Sequence, residues 1–472
     1  MDDNNRIPED VKRIHLIAIC GTGMGALAGM LREAGYEVAG SDNNVYPPMS
    51  TFLEGRGIPV RKGFAAEHLE PPPDLVVVGN AVRRENPEAA ATMERGIPYC
   101  SFPQAVNRFF AEGKAALLVT GTHGKTTTSG ILAWIVAMVG LDPSFMIGGI
   151  LTNLDTNHHV GTGSHIVVEG DEYDTAFFDK GPKFLHYSPS HTILTSVEFD
   201  HADIYADLEA VKESFRRLCR GLPQDSLLIY KDEDENVAEV VAEATCWKTP
   251  YGSSEKSPWR IGEVRVDAPW TRFEVLRRGE HYGWFDVRLM GRHNLHNTLA
   301  AIAVADDMRI PVEDIRHALE QFEGVYRRQQ VRGAKRGVTV MDDFAHHPTA
   351  VRETLKAVRP YFPDRRIIAV FEPRTNTSKR NVFQDVYPGC FDGADLVCVR
   401  EAPGLDAIPE KERFSSKKLV EDLRARGIAA HYFPDTDAII EYVAREAVEG
   451  DLVLVMSNGG FDNIHERLLE AL

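Results

Sequence analysis

Residues 117–130 read LLVTGTHGKTTTSG, and the order of their parts decides the fold. An apolar strand runs into a loop bracketed by Gly121 and Gly124, and the loop opens a helical pattern that continues through ILAWIVAMV. A phosphate-binding loop needs that order. The glycines let backbone N–H groups converge on one anion, the helix adds the positive end of its dipole, and Lys125 reaches the outer phosphates. Thr126 then offers a hydroxyl to magnesium. The common pattern G-x-x-x-x-G-K-[ST] wants a small residue at position 119, where this chain has Val119, so the loop is the variant T-G-T-H-G-K-T-T. A lone Gly-Lys-Thr would also suit a surface turn, but the strand before it and the apolar helix after it favour a nucleoside triphosphate site.

At 472 residues the chain is too long for one ordinary core. Apolar residues at 43% and charged residues at 26% describe a globular protein. The net charge of −17 disfavours a general nucleic-acid binder and leaves anionic small substrates to local Lys and Arg. The start, MDDNNRIPED, is unlike a signal peptide, and the longest apolar run is far below a membrane span, so a cytoplasmic location is expected. Cys20, Cys100, Cys219, Cys246, Cys390 and Cys398 lack C-x-x-C spacing, so neither a disulfide framework nor a zinc site is expected.

Before the phosphate loop, RIHLIAIC at 13–20 leads into Gly21-Thr22-Gly23-Met24-Gly25-Ala26, a helix pattern, and the strand YEVAGSD ending at Ser41-Asp42. This G-x-G-x-x-A with a following acid is the fingerprint of a dinucleotide fold, yet a UDP-sugar diphosphate would satisfy the same backbone. Strand and helix alternation continues through DLVVVGN at 74–80, so Asn80 and Asn86 follow a strand's carboxyl end, as ligand contacts or as turn and cap residues.

After the phosphate-loop helix, HIVVEGDEYD at 165–174 is a buried strand ending in acids, with Glu169 the first candidate for a metal-holding carboxylate and Asp171 and Glu172 the others. The run HTILTSVEFDHADIY at 191–205 reads as a strand ending in Asp200 and His201, the histidine serving as metal ligand or structural residue. A β-rich stretch with a hairpin turn at RRGEHY closes on GRHNLHN, where Asn294 and Asn297 sit one turn apart at a helix start. From residue 332 a doubly wound pattern restarts, and its strand ends carry Asp343, His347, Arg374, Asn376, Lys379 and SNGG at 457–460. Linkers are expected near Gly113 and Gly333.

The ordered set of a front glycine loop, T-G-T-H-G-K-T-T, E-G-D-E, E-F-D-H, G-R-H-N-L-H-N and D-D-F-A-H-H-P resembles the Mur ligase family of peptidoglycan synthesis over essentially the whole chain. The resemblance implies an α/β fold of three domains. These are a Rossmann-like UDP-sugar domain at 1–110, a central P-loop ATPase-like domain with added strands at 111–331, and a Rossmann-like peptide-binding domain at 332–472. EYDTAFFDK, EPRTNTSK and MSNGGF are most similar to the branch that joins UDP-N-acetylmuramate to L-Ala-γ-D-Glu-meso-diaminopimelate during wall recycling. The alternative amine is L-alanine.

That resemblance implies an ATP- and magnesium-dependent amide ligase acting through an acyl phosphate. Lys125, Glu169 and His201 would be catalytic, with Thr126, Glu169 and His201 holding metal. ATP would meet Gly121, Thr122, Gly124, Lys125, Thr126 and Thr127, then Asn294, Asn297, Arg328, Asp343 and His347. Gly21, Thr22, Gly23, Met24, Ser41, Asp42 and Asn80 would hold the UDP-sugar, and Arg374, Asn376 and Lys379 the peptide, a planar Arg fork suiting carboxylates. The partners are small molecules, with no nucleic acid and no membrane span. Two positions depart from the family. Phe215 stands where many members carry a carbamylated lysine, so no carbamate is expected, and Gly181 stands where the recycling branch would be expected to carry a basic residue. A dehydrogenase on the first glycine loop and a non-catalytic nucleotide sensor are the rival readings.

Overall fold

The computed structural model describes residues 4–46 and 49–472, which fall into two compact units. The first comprises Met1–Val197, Val211–Trp259 and Ala300–Ala318. The second comprises Glu198–Ala210, Arg260–Leu299 and Leu319–Leu472.

In the first unit, five parallel strands lie in the order Val60–Lys62, Glu37–Asp42, Arg13–Ile17, Leu75–Val78 and Tyr99–Ser101. Leu75–Val78, LVVV, is buried throughout, as a strand covered on both faces must be. The strand order reverses beside Arg13–Ile17, so a crevice opens at its carboxyl end, the place where open α/β sheets bind ligands. Helix Thr22–Glu33 starts from that crevice with Gly21 as its N-cap.

A second sheet of this unit runs in the order Trp247–Gly252, Leu227–Lys231, Pro189–Leu194, Ala115–Thr120, His165–Gly170, Ser144–Leu151 and Thr156–His159. Its neighbours are parallel except for the last, antiparallel pair. Register pairs Thr120 with Gly170 on one side and with Leu194 on the other. The phosphate loop therefore leaves its strand between the acidic stretch and the segment after Leu194. Reading 191–205 as one strand needs correction, because the strand ends at Leu194. Beyond it, the Thr195 hydroxyl donates to the carbonyls of Thr120 (3.1 Å) and His123 (2.5 Å), and Ser196 Oγ accepts from the His123 amide, so these residues brace the loop instead of extending the ladder.

In the second unit, Trp270–Arg277 and Glu280–Val287 form an antiparallel hairpin turned at Arg278 and Gly279, both with positive φ, as a tight two-residue hairpin turn requires. A six-stranded sheet follows in the order Gln330–Lys335, Val338–Asp343, Leu452–Met456, Ile367–Phe371, Leu396–Arg400 and Ala429–Phe433. Only the first pair is antiparallel. One core packs Val351, Leu355, Leu419 and Leu423 against one face, and another packs Ile439, Val443, Ile464 and Leu468 against the other. This is a doubly wound arrangement. Gly333, expected in a linker, instead lies inside Gln330–Lys335, where the ladder shifts register between Val331 and Gly333. No helix among the described residues is long and apolar enough to cross a membrane.

Candidate functional site

The phosphate loop is built where its sequence placed it, with one local difference. Val119 stays in the strand beside Glu169, fully buried, and the chain turns only at Gly121. Gly121 has φ +124°, and a Cβ there would fall within contact distance of Thr195 Oγ1 and Ser196, so glycine is required. Gly124, at φ +81°, caps helix Lys125–Met138 without a side chain to satisfy the first amides, which is the condition for receiving an anion there.

Three carboxylates from the acidic stretch each take a different partner. Glu169 Oε1 accepts from the Thr126 hydroxyl at 3.1 Å, and its Oε2 accepts from the Gly148 amide at 2.9 Å. Glu172, 2% exposed, accepts from Lys125 Nζ at 2.7 Å, and that ammonium also donates to the Gly121 carbonyl at 2.6 Å. Burial works against the charge on Lys125, but Glu172, Asp171 and Glu169 outweigh it and raise its pKa. Asp171 pairs with Lys183. Thr126 and Glu169 thus supply hard oxygen donors at a helix start, the kind of set that suits magnesium beside phosphates.

The first glycine loop opens onto a cavity of about 1210 Å³ lined by Gly21, Thr22, Gly23, Met24, Asp42 and Asn80, and on its far wall by Glu169, Asp171, Lys183 and Tyr187. Asp42 accepts from the amides of Cys20 (3.0 Å) and Asn44 (2.8 Å), so it braces the loop as well as lining the cavity. Ser41, expected among the UDP-sugar contacts, points inward, fully buried, and donates to Glu88 at 2.5 Å. It is not among the cavity's lining residues. The sequence reading missed Glu88, whose carboxylate also meets His15 at 2.9 Å and His68 at 2.7 Å. Burial opposes its ionisation, but hydrogen bonds from His15 and Ser41 hold its pKa below the usual range. No linear motif marks the set, because its members are spread from residue 15 to residue 88. Asn80 donates to the Asp174 carbonyl at 2.6 Å, while Asn86 proves to be a helix N-cap.

Phe215, where the sequence reading expects no carbamylated lysine, is fully buried with its ring 5.3 Å from that of Phe184. Lys212 on the same helix is held by Glu239 at 2.6 Å. Gly181 lies in a small hairpin formed by Asp174–Ala176 and Asp179–Pro182.

Within the second unit, the E-F-D-H segment joins the predicted peptide-reading segment. The Ala202 amide donates to Thr377 Oγ1 at 3.0 Å, and Asn376 donates to Asp203 at 2.8 Å. His201 has φ +55°, and its carbonyl receives the amides of Ile204 and Tyr205. His347 caps helix Pro348–Val358 through Nδ1, which accepts from the Thr349 amide at 3.2 Å. That bond fixes the ring proton on Nε2, which donates to the Phe199 carbonyl at 3.1 Å. Asn294 donates to Met290 O and Gln329 Oε1, and Asn297 donates to Asn294 Oδ1. Arg328 lies 4.5 Å over the Phe344 ring. Burial raises the pKa of Asp343 against the field of Arg328, and its oxygens accept from the Ala345 and Gln329 amides, both at 2.8 Å. Arg374 reaches towards buried Glu372 at 3.6 Å and lies across Gly459, while the Lys379 backbone accepts from the Phe414 amide.

Residues 13–114 match the Mur ligase family catalytic domain, 119–305 the Mur ligase middle domain, and 327–459 the Mur ligase glutamate ligase domain. The UDP-N-acetylmuramate–L-alanyl-γ-D-glutamyl-meso-2,6-diaminoheptanedioate ligase of Escherichia coli K12 is 43% identical over 98% of both chains. The crystal structure of a murein peptide ligase from Psychrobacter arcticus 273-4 superposes with a TM-score of 0.72 at 34% identity, covering 98% of each chain. That of the UDP-N-acetylmuramate–alanine ligase from Thermotoga maritima gives 0.81 at 26% identity, covering 98% and 99%.

Proposed function

The chain belongs to the Mur ligase family, and from that premise we propose that it joins UDP-N-acetylmuramate to L-Ala-γ-D-Glu-meso-diaminopimelate with ATP, in peptidoglycan recycling. One observation carries the chemistry. Lys125 and the Thr126–Glu169 pair stand at the acidic stretch, and that stretch also forms a wall of the cavity opened by the first glycine loop. A triphosphate and a sugar nucleotide are thereby directed to one set of carboxylates.

The lactyl carboxylate of the sugar attacks the γ-phosphorus, ADP leaves, and the tripeptide's α-amine displaces phosphate from the acyl phosphate to form the amide. Attack of a carboxylate on a triphosphate joins like charges, so the protein's contribution is neutralisation and alignment. We assign Lys125 and the loop residues Gly121, Thr122, Gly124 and Thr127 to the phosphates. Thr126 and Glu169 would hold magnesium, which offsets triphosphate charge when bound, and His201 would hold a second ion. Asn294, Asn297, Arg328 and Asp343 take the nucleoside end, with His347 as a further ATP-side residue. Gly21–Met24, Asp42 and Asn80 take the UDP-sugar, and Arg374, Asn376 and Lys379 the tripeptide carboxylates. In this reading 1–110 binds sugar nucleotide, 111–331 binds ATP and 332–472 binds peptide, in the cytoplasm where all three substrates meet.

The higher TM-score to an alanine ligase reflects a backbone common to both branches, whereas the amine is chosen by side chains, so sequence identity is the better guide to it. The deciding measurement is phosphate release with ATP, magnesium and UDP-N-acetylmuramate, offering either tripeptide or L-alanine. Release with tripeptide alone is expected. Release with L-alanine alone moves the protein to the other branch, and release with neither overturns the ligase reading.

A further inference from the structure

Two lysines are parked on neighbouring carboxylates of the same four-residue stretch. Lys125 rests on Glu172 and Lys183 on Asp171, and both side chains are largely enclosed, 12% and 14% exposed. Their settings differ. Lys125 starts the phosphate-loop helix, whereas Lys183 lines the sugar-nucleotide cavity beside Glu169 and Asp171. Lys183 opens a short turn, Lys183–His186, anchored by fully buried Phe184, and its ammonium lies 5.6 Å from the Tyr173 ring centre.

This wall of the cavity carries two carboxylates, so an incoming carboxylate is repelled unless a cation meets it. Among the described residues, the cavity's basic lining side chains are Lys183 and Arg83, and Arg83 comes from the segment after Leu75–Val78, on the glycine-loop sheet. We propose that Lys183 receives the lactyl carboxylate of UDP-N-acetylmuramate, exchanging Asp171 for the substrate as Lys125 exchanges Glu172 for phosphate. The inference rests on the ligase reading above. In the step it serves, a carboxylate oxygen forms a bond to the γ-phosphorus as the bond to the ADP oxygen breaks. Lys183 stays protonated throughout and transfers no proton. Its contribution is to hold the nucleophile near Glu169 against like-charge repulsion, which makes it a catalytic residue in contact with substrate.

The test compares UDP-N-acetylmuramate with UDP-N-acetylglucosamine, which lacks the lactyl ether, by calorimetric binding to the full chain. Lys183→Met should weaken UDP-N-acetylmuramate at least about 10-fold, the scale of one charged hydrogen bond. Its binding of UDP-N-acetylglucosamine should be unchanged, which also certifies that the variant is folded. Lys183→Arg should restore part of the loss. Equal losses for both ligands, or no loss for either, overturn the assignment while leaving the ligase reading intact. A wild-type protein that binds neither sugar nucleotide overturns both.

Discussion

Lys125 Nζ donates to Glu172 at 2.7 Å, so the phosphate-loop lysine is neutralised by a buried carboxylate of the adjacent strand's exit. The two residues should therefore couple in stability but not in turnover. Lys125→Ala should abolish phosphate release, by about 10³-fold or more. It should also cost about 3 kcal/mol by leaving Glu172 uncompensated. The double variant Lys125→Met/Glu172→Gln should recover the melting temperature and remain inactive. Near-normal turnover in either variant would refute the site.

Glu169 accepts from both Thr126 and the Gly148 amide, so it is pre-oriented for a metal. Glu169→Gln keeps its shape and removes its charge. The magnesium concentration for half-maximal phosphate release should rise about 10- to 100-fold, with Thr126→Val shifting it the same way. An unchanged magnesium titration would place the ion elsewhere.

Arg374 lies across Gly459, where a Cβ would collide with its guanidinium arm. Gly459→Ala should therefore displace Arg374 and raise the KM for tripeptide, with KM for ATP unchanged. Arg374→Ala should raise it further, by about 10²-fold if a paired carboxylate is lost. Steady-state kinetics with each substrate varied in turn would check this, and a rise confined to ATP would contradict it.

His158 is held neutral in the folded chain. Burial, then the charges of Arg56 and His159, push its pKa down from 6.5 to about 4. The unfolded chain takes up this proton below about pH 6.5, so stability falls as pH drops from there towards about 4. The full effect is about 3 kcal/mol. His158→Gln should flatten this part of the stability profile, measured by urea unfolding from about pH 4.5 to about pH 7.5. Parallel profiles would show that His158 does not carry the slope.

The phosphate loop was legible because strand, turn, lysine and helix are contiguous, and contiguous geometry is encoded locally. The same holds for the glycine loop at Gly21–Met24 and for the alternating elements after residue 332. The E-G-D-E stretch was legible as a set of candidate acids, but the division of labour among Glu169, Asp171 and Glu172 was not. Side chains two or three residues apart leave a strand's end in different directions, and their partners come from residues 125, 126 and 183.

Sequence alone determined the class of fold and pointed to nucleotide chemistry, because both follow from residue types at fixed local spacing, and the resemblance of its ordered motifs gave the family. Tertiary structure decided that Ser41 turns inward to Glu88, that Asp42 braces its own loop, and that the strand before E-F-D-H stops at Leu194. It also decided that Lys183 faces the cavity. Those outcomes depend on hydrogen bonds and ion pairs between segments far apart in the chain, and only packing brings such segments together.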